Sequence, residues 1–169
     1  MTIGLLSDTH GVFDAPLRSF FSEVDQIWHA GDFGDMETAD AIATFKPLVG
    51  VCGNCDSHKV RSVYPLMQCF EIEQMKVLML HIGGYPGHYD FNAHQLVTAH
   101  QPQLFICGHS HILKVMNDKN NNLLHVNPGA AGNYGIHVIR TAVRFRIGAG
   151  KISDLEVWEL PRSTTMNQS

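Results

Sequence analysis

Short apolar runs punctuate the chain, and through its first half they alternate with segments of helical period. Residues 2–6 read as a strand, 14–23 as a helix with Asp14 as N-cap and Pro16 in its first turn, and 25–29 as a second strand. Residues 36–45 read as another helix and 48–52 as a third strand, a strand–helix alternation that implies a mostly parallel sheet. Beyond Pro65 the period changes. Residues 68–72 and 76–80 flank a short polar turn as a hairpin, 90–100 form a helix stopped before Pro102, and 104–108 a buried strand. In the last third, strands at 112–116 and 123–126 flank the polar turn 117–122, and strands at 142–147 and 152–160 flank Gly148-Ala149-Gly150. The expected architecture is one α/β domain over residues 1–161, with two mixed β-sheets face to face and α-helices outside, followed by a frayed tail at 162–169.

A chain of 169 residues is long enough to bury a core on both faces of a sheet. The 12 Lys and Arg form no run and the net charge is -4, which speaks against gripping long nucleic acid by neutralising its backbone. A small anionic substrate stays open, since bound metal ions supply positive charge locally. No apolar stretch approaches the ~20 residues of a bilayer span, and the N-terminus lacks the basic start of a signal peptide. Four cysteines suit a reducing cytoplasm, which is the expected location. Cys52 and Cys55 form a C-x-x-C, yet no second pair completes a zinc site. Eleven histidines are the oddity, and their positions matter more than their number.

Five apolar runs end alike. They lead to Asp8-Thr9-His10, to Asp32 with Asp35 beyond it, to Asn54-Cys55-Asp56, to His81, and to His109-Ser110-His111. Ligands of an α/β sheet bind outside the carboxyl ends of its strands, so Asp8, His10, Asp32, Asn54, His81, His109 and His111 are expected to converge. Asp8 with His10, and His109 with His111, are spaced i, i+2, which on extended backbone points both side chains one way. Gly31, Gly53 and Gly108 precede polar residues, where a missing Cβ lets the chain approach an ion closely. Singly, each of these reads as a turn, a cap or a solvated histidine. Five strand ends in agreement do not.

In this order the blocks Asp8-Thr9-His10, Gly31-Asp32-Phe33-Gly34-Asp35, Gly53-Asn54-Cys55-Asp56, His81 and Gly108-His109-Ser110-His111 resemble the calcineurin-like metallophosphoesterases. The compact size and Asn54-Cys55-Asp56 are similar to the small bacterial and archaeal phosphodiesterases of that superfamily, and Asn127-Pro128-Gly129 matches their Asn-Pro-Gly turn. The resemblance implies the metallophosphoesterase sandwich and hydrolysis of a small phosphate ester, by in-line attack of a hydroxide bound between two metal ions. By family precedent Asp8, His10 and His111 hold one metal, Asn54, His81 and His109 the other, and Asp32 bridges both while Asp35 orients ligands. The implied catalytic set is Asn54, Asp35, Cys55 and Asp56. The expected cofactors are two divalent transition-metal ions, manganese first, with iron, zinc or nickel as alternatives, because imidazole-rich mixed ligation disfavours magnesium and calcium. The expected partner is the small ester, with no stable nucleic acid and no membrane; a homo-oligomer is left open.

Some positions depart from the pattern. Cys55 stands where many of these enzymes carry a histidine that serves the leaving group, and a thiol of ordinary pKa is a poor acid towards an alkoxide. Asp56 could substitute only if protonated, so packing and capping are the plainer roles for both. Tyr85 and His88 lie in a glycine-rich loop where substrate contact is weighed against a bare surface turn, and Ala130 and Ala131 replace a common serine. Arg140 and Arg144 are expected at the surface, His29 and His125 as hydrogen-bonded core histidines, and His58, His94, His100 and His137 outside any cluster. The rival reading is a protein-interaction scaffold, known in a eukaryotic sorting complex where the metal site is degraded; here all seven ligands are kept. A DNA nuclease would need strand-gripping segments or a basic face, and neither is visible.

Overall fold

The computed structural model describes residues 1–162, so the expected tail lies, apart from Arg162, outside the described residues. The chain begins β1 (Thr2–Leu6), α1 (Ala15–Phe20), β2 (Gln26–His29), α2 (Met36–Phe45), β3 (Leu48–Gly50) and α3 (His58–Val63). It continues β4 (Met67–Ile72), β5 (Met75–Leu80), β6 (Gly84–Tyr85), β7 (His88–Tyr89), α4 (Phe91–His100) and β8 (Leu104–Ile106). The last third is β9 (Leu113–Asp118), β10 (Leu123–Pro128), β11 (Ile139–Gly148) and β12 (Lys151–Pro161).

Two five-stranded sheets result, ordered β12-β11-β1-β2-β3 and β4-β5-β8-β10-β9, with β6-β7 as a small ribbon. The crossovers through α1 and α2 make β1, β2 and β3 parallel, whereas β11 and β12 close the sheet antiparallel. In the second sheet β5, β8 and β10 are parallel between antiparallel edges. Ile3, Leu5, Trp28, Val77, Met79, Ile106 and Phe145 pack between the sheets. A second core under α1, α2 and α3 includes Leu17, Phe21, Ile42 and Val60, and a third under α4 includes Ala93, Val97 and Phe105. The expected two-sheet α/β architecture is therefore the one observed. No helix among the described residues is long and apolar enough to cross a membrane.

The differences from the sequence reading have local causes. α3 was not expected, because its six residues bury only Val60 and carry no period; Ser57 caps it by accepting from Val60 N. β3 and β8 end two residues early, at Gly50 and Ile106. Past β3 the ladder with β2 ends on Val51 N, which donates to His29 O, and Cys52 N turns instead to Pro65 O. Arg140 is a plain correction: it is 3 % exposed, not on the surface. Its guanidinium donates to both oxygens of Asp14 at 2.7 and 3.1 Å, and to Ala131 O at 2.7 Å, above the Trp158 ring. The strand was expected to begin only at residue 142, and nothing local shows that Asp14 waits for Arg140, 126 residues away. Arg144 pairs with Glu156 at 2.7 Å near the surface, as expected.

Truncating Arg140 strands Asp14 and the buried Ala131 carbonyl together. Arg140→Ala should destabilise by about 2–3 kcal/mol, lowering Tm by roughly 5–10 °C. Thermal unfolding of the variant checks this, and a change below about 0.5 kcal/mol would contradict it.

Candidate metal centre

The loops leaving β1, β2, β5 and β8 are stitched to one another at one end of the sandwich. Asp8 N donates to Gly31 O, His10 N to Asp32 O, and Gly108 N to His81 O, at 2.9 to 3.1 Å. His109 N donates to Asp8 Oδ2 at 3.0 Å across the two sheets. Five of the expected ligands thereby face one another in two triplets, Asp8–His10–His111 and Asp8–Asp32–His81, each with its ligand atoms within 4.8 Å.

Each carboxylate is held by one oxygen and offers the other. Asp8 Oδ2 accepts from Ser7 Oγ at 2.6 Å and from His109 N, leaving Oδ1 at 3.1 Å from His111 Nε2 and 3.9 Å from His81 Nε2. Asp32 Oδ1 accepts from Cys55 N at 2.9 Å, leaving Oδ2 at 3.2 Å from His81 Nε2 and 3.8 Å from His10 Nε2. Asp8 is thus as central as Asp32: it belongs to both triplets, while Asp32 was the expected bridge. His81 Nδ1 donates to Ala30 O at 2.7 Å, which turns Nε2 to the cluster as the lone-pair atom.

The way the pairs share a direction differs from expectation. Asp8, His10, Asp32, His109 and His111 all have positive φ, between 44° and 69°. The i, i+2 partners converge through left-handed turns just beyond the strands, not through extended backbone. Such non-glycine geometry costs about 1–3 kcal/mol per residue and persists where surrounding contacts enforce it. Gly53 has the opposite need: a Cβ there would stand 2.0 Å from Asp32 Oδ1.

Do these residues fit metal ions? Asp8 Oδ1, His10 Nε2 and His81 Nε2 are buried and have no hydrogen-bond partner among the described residues, although all three face the same space. Native proteins rarely leave three such atoms unmatched together. Two carboxylates and three imidazoles form a mixed oxygen and nitrogen donor set suited to a divalent transition metal. They fit.

The electrostatics agree. Burial by itself would raise both carboxyls, but His111, His81 and Ser7 hold Asp8 below the ordinary range, and His81 and Cys55 do the same for Asp32. Burial lowers His10. Burial also opposes charge on His81, yet Asp32 and Asp8 outweigh it and lift that imidazole above its usual value. Positive charge is wanted between the carboxylates.

The other expected site residues fall around this centre. His109 is exposed, with its ring 5.3 Å from that of His81, and Asn54 is exposed on the rim of a cavity that also holds His81. Asp35 caps α2 by accepting from Thr38 N at 2.7 Å. Asp56 is buried and accepts from Asp32 N, Gly53 N and Gly34 N at 2.8 to 3.1 Å, so it braces the ligand loops with both oxygens. Cys55 is exposed, and burial of its sulfur together with the Asp32 charge pushes the thiol up. Asn127 of the Asn-Pro-Gly turn donates to Gly108 O and Ser110 Oγ, holding the His109 loop.

Three supporting residues were not legible. Ser7 clamps Asp8, and Arg61 donates to Gly53 O and Asn54 O at 2.9 Å. His137, expected to stand outside any cluster, is 3.2 Å Nδ1 to Nδ1 from His111, and its Nε2 donates to Gly132 O at 3.0 Å. That donation leaves His137 Nδ1 as an acceptor, so His111 Nδ1 carries the proton and its Nε2 lone pair faces Asp8. Its position 26 residues beyond His111, in a loop without period, gave no signal.

Removing the acceptor frees His111 to adopt either tautomer. His137→Ala should weaken manganese binding by about 10- to 100-fold, and ring nitrogen shifts of His111 should change from one tautomer to a mixture. Unchanged affinity and shifts would contradict this. A separate test concerns His29, which is fully buried: its Nδ1 accepts from Gly31 N and its Nε2 donates to Thr9 Oγ1, and burial pushes it down to about 3. Its stabilising contribution is complete above the ordinary value near 6.5 and is lost as pH falls toward 3, by about 1.4 kcal/mol per pH unit. Urea unfolding of metal-free protein between pH 6.5 and 4 should show that slope reduced in His29→Gln; an identical slope would count against it.

Comparison with known proteins closes the identification. The model of the calcineurin-like phosphoesterase superfamily domain matches residues 1–150. A probable metallophosphoesterase of Methanocaldococcus jannaschii is 32 % identical over 136 residues, covering 77 % of this chain and 68 % of that protein. Another, from Methanothermobacter thermautotrophicus, is 30 % identical over 142 residues, covering 77 % of each. Among solved structures, Vps29 from Entamoeba histolytica complexed with zinc superposes with a TM-score of 0.72 at 16 % identity, covering 96 % of this chain and 100 % of that one, a likeness of fold alone. With the ligand geometry and these matches together, the chain belongs to the calcineurin-like phosphoesterase superfamily.

Proposed function

We propose that the chain hydrolyses a small phosphate ester, a diester or monoester, with two divalent transition-metal ions, manganese first, held by Asp8, His10, Asp32, Asn54, His81, His109 and His111. The observation that carries this reading is the convergence of three buried atoms, on Asp8, His10 and His81, that have no hydrogen-bond partner among the described residues. When bound there, such ions supply positive charge to the phosphate oxygens and acidify water to a pKa near ~7.

The chain's own residues do the rest. Asp8 and Asp32 are fixed by Ser7 Oγ, His109 N and Cys55 N, so their free oxygens do not wander as substrate enters. His81 and His111 are each locked in one tautomer by Ala30 O and His137. His109 and Asn54 are exposed at the rim and meet the substrate side of the site. Proton supply to the leaving group is the weak point. The raised thiol of Cys55 is a poor acid, and Asp56 spends both oxygens on backbone N–H groups. Esters with good leaving groups, such as p-nitrophenol, are therefore the expected fast substrates.

Likeness of fold to Vps29 keeps a protein-interaction scaffold as the second reading. Because that Entamoeba protein is itself complexed with zinc, metal binding cannot decide between the two and hydrolysis must. A panel of phosphodiesters and monoesters assayed with manganese should show turnover that falls about a thousandfold or more in Asp32→Ala and His81→Ala, some 4 kcal/mol of transition-state stabilisation. Equal rates in all three proteins, or no turnover at all, would favour the scaffold.

A further inference from the structure

Ile82 and Asp90 line both of two cavities at this end of the sandwich. One, of about 370 Å³, lies beside His109 and is lined by Tyr85, Tyr89 and Ile112. Under it His125 is fully buried, and neither of its ring nitrogens has a hydrogen-bond partner among the described residues. The hydrogen-bonded core histidine expected there is therefore not found, and the enclosed ring gives an occupant of that cavity nothing to pair with. The other cavity, of about 310 Å³, lies on the Asn54 side. Its lining joins Asn54 and His81, two of the proposed metal ligands, to Leu66 and Arg61.

Arg61 is fixed by the loop that carries Asn54. Its Nε donates to Asp56 O and its Nη2 to Gly53 O and Asn54 O, all at 2.9 Å. Nη1 is left over, with no hydrogen-bond partner among the described residues. Three neutral carbonyls leave the guanidinium a full cation. Arg140 and Arg144 each meet a carboxylate, whereas Arg61 forms no ion pair among the described residues. A planar guanidinium pinned along one edge presents the other to a carboxylate or phosphate, with little rotamer freedom left to lose. Asp90 on the same lining is turned to α4, its Oδ1 accepting from Asn92 N and Ala93 N, so the Arg61 end is the one suited to an anion. Asn54 couples that end to the metal centre, because its carbonyl accepts from Arg61 while its side chain is a proposed ligand.

We propose that Arg61 receives a second anionic group of the substrate, a carboxylate or a further phosphate on the organic part of the ester, in the cavity beside Asn54. The ester itself is taken from the phosphoesterase reading, whereas the place and sign of the second group stand on Arg61. Arg61 then determines specificity: it braces the Asn54 loop through three carbonyls and reads charge through Nη1.

Non-hydrolysable phosphonates test this apart from turnover. Propylphosphonate carries one anionic head, 3-phosphonopropionate adds a carboxylate, and propane-1,3-diphosphonate adds a second phosphonate. Each is titrated by calorimetry into manganese-loaded protein. A two-headed ligand should bind at least about tenfold more tightly than propylphosphonate, as a charge-assisted pair supplies, and the larger gain names the anion. Arg61→Gln should erase the gain, and Arg61→Lys, which keeps the charge, should retain part of it. Leu66→Glu sets a carboxylate on the same lining and should also reduce the gain; Leu66 is 69 % exposed, so the core is untouched. The readout is a ratio between ligands on one protein, so a loop loosened by loss of the Arg61 fork, which weakens all three alike, does not imitate it. Equal affinity for all three ligands in the unsubstituted protein, or a gain that survives Arg61→Gln, would overturn the assignment and leave the hydrolytic reading standing. A gain that depends on Arg61 in a protein that turns over no ester would uphold the anion site and sink hydrolysis. Binding of none of the three would remove both.

Discussion

Two carboxylates buried side by side repel unless positive charge lies between them, and the loops of this sandwich are arranged around that constraint. Asp8 and Asp32 are 0 % and 2 % exposed. Desolvation alone would drive a proton onto each, yet Ser7, His111 and His81 hold Asp8, and His81 and Cys55 hold Asp32, as anions. Cations or imidazoliums are the available remedies, and His81 and His10 bring their nitrogens to the same space. The backbone yields to this arrangement: Asp8, His10, Asp32, His109 and His111 take left-handed φ values that their side chains disfavour. What offsets the strain is the lattice of loop hydrogen bonds, Asp8 to Gly31, His10 to Asp32, Gly132 to Asp8, and three N–H groups onto Asp56.

The candidate ligands come from both sheets. Asp8, His10 and Asp32 follow strands of the first sheet, and His81, His109 and His111 follow strands of the second. The distance between the halves of the site is therefore set by the layer of side chains between the sheets, Trp28 against Phe70 and Phe145 among them. Cores packed to crystal-like density do not deform continuously, so the same burial that stabilises the sandwich also holds the ligand halves in register.

How much of this could be read beforehand follows from what each residue's signal depends on. Strands and the helices α2 and α4 were legible because period and caps are local: Asp90 before α4 and Asp35 before α2 both accept from the first turn. The convergence of Asp8, His10, Asp32, His81 and His111 was legible because the strand ends they follow carry the same chemistry. Their geometry was not, since i, i+2 spacing on a strand and on a left-handed turn look alike in sequence, and the structure chose the turn. Asp56 looked like a reserve acid for the same reason: only the folded loops reveal the three N–H groups that occupy it.

Arg140, His125 and His137 mark the limit of one-dimensional reading from three sides. Each lies in or beside a strand, and each owes its surroundings to residues distant along the chain: Asp14 for Arg140, His111 for His137, Tyr89 and Phe105 for His125. The candidate ligand set is repeated at five strand ends and so survives the loss of any single signal, whereas the contacts of Arg140 with Asp14 and of His137 with His111 are each made once. The candidate ligand positions are therefore written redundantly in this sequence, and the contacts that brace them are not. The cavity beside His109 is lined by neither of the buried carboxylates, so its lining can change while the charge arrangement around Asp8 and Asp32 stays fixed.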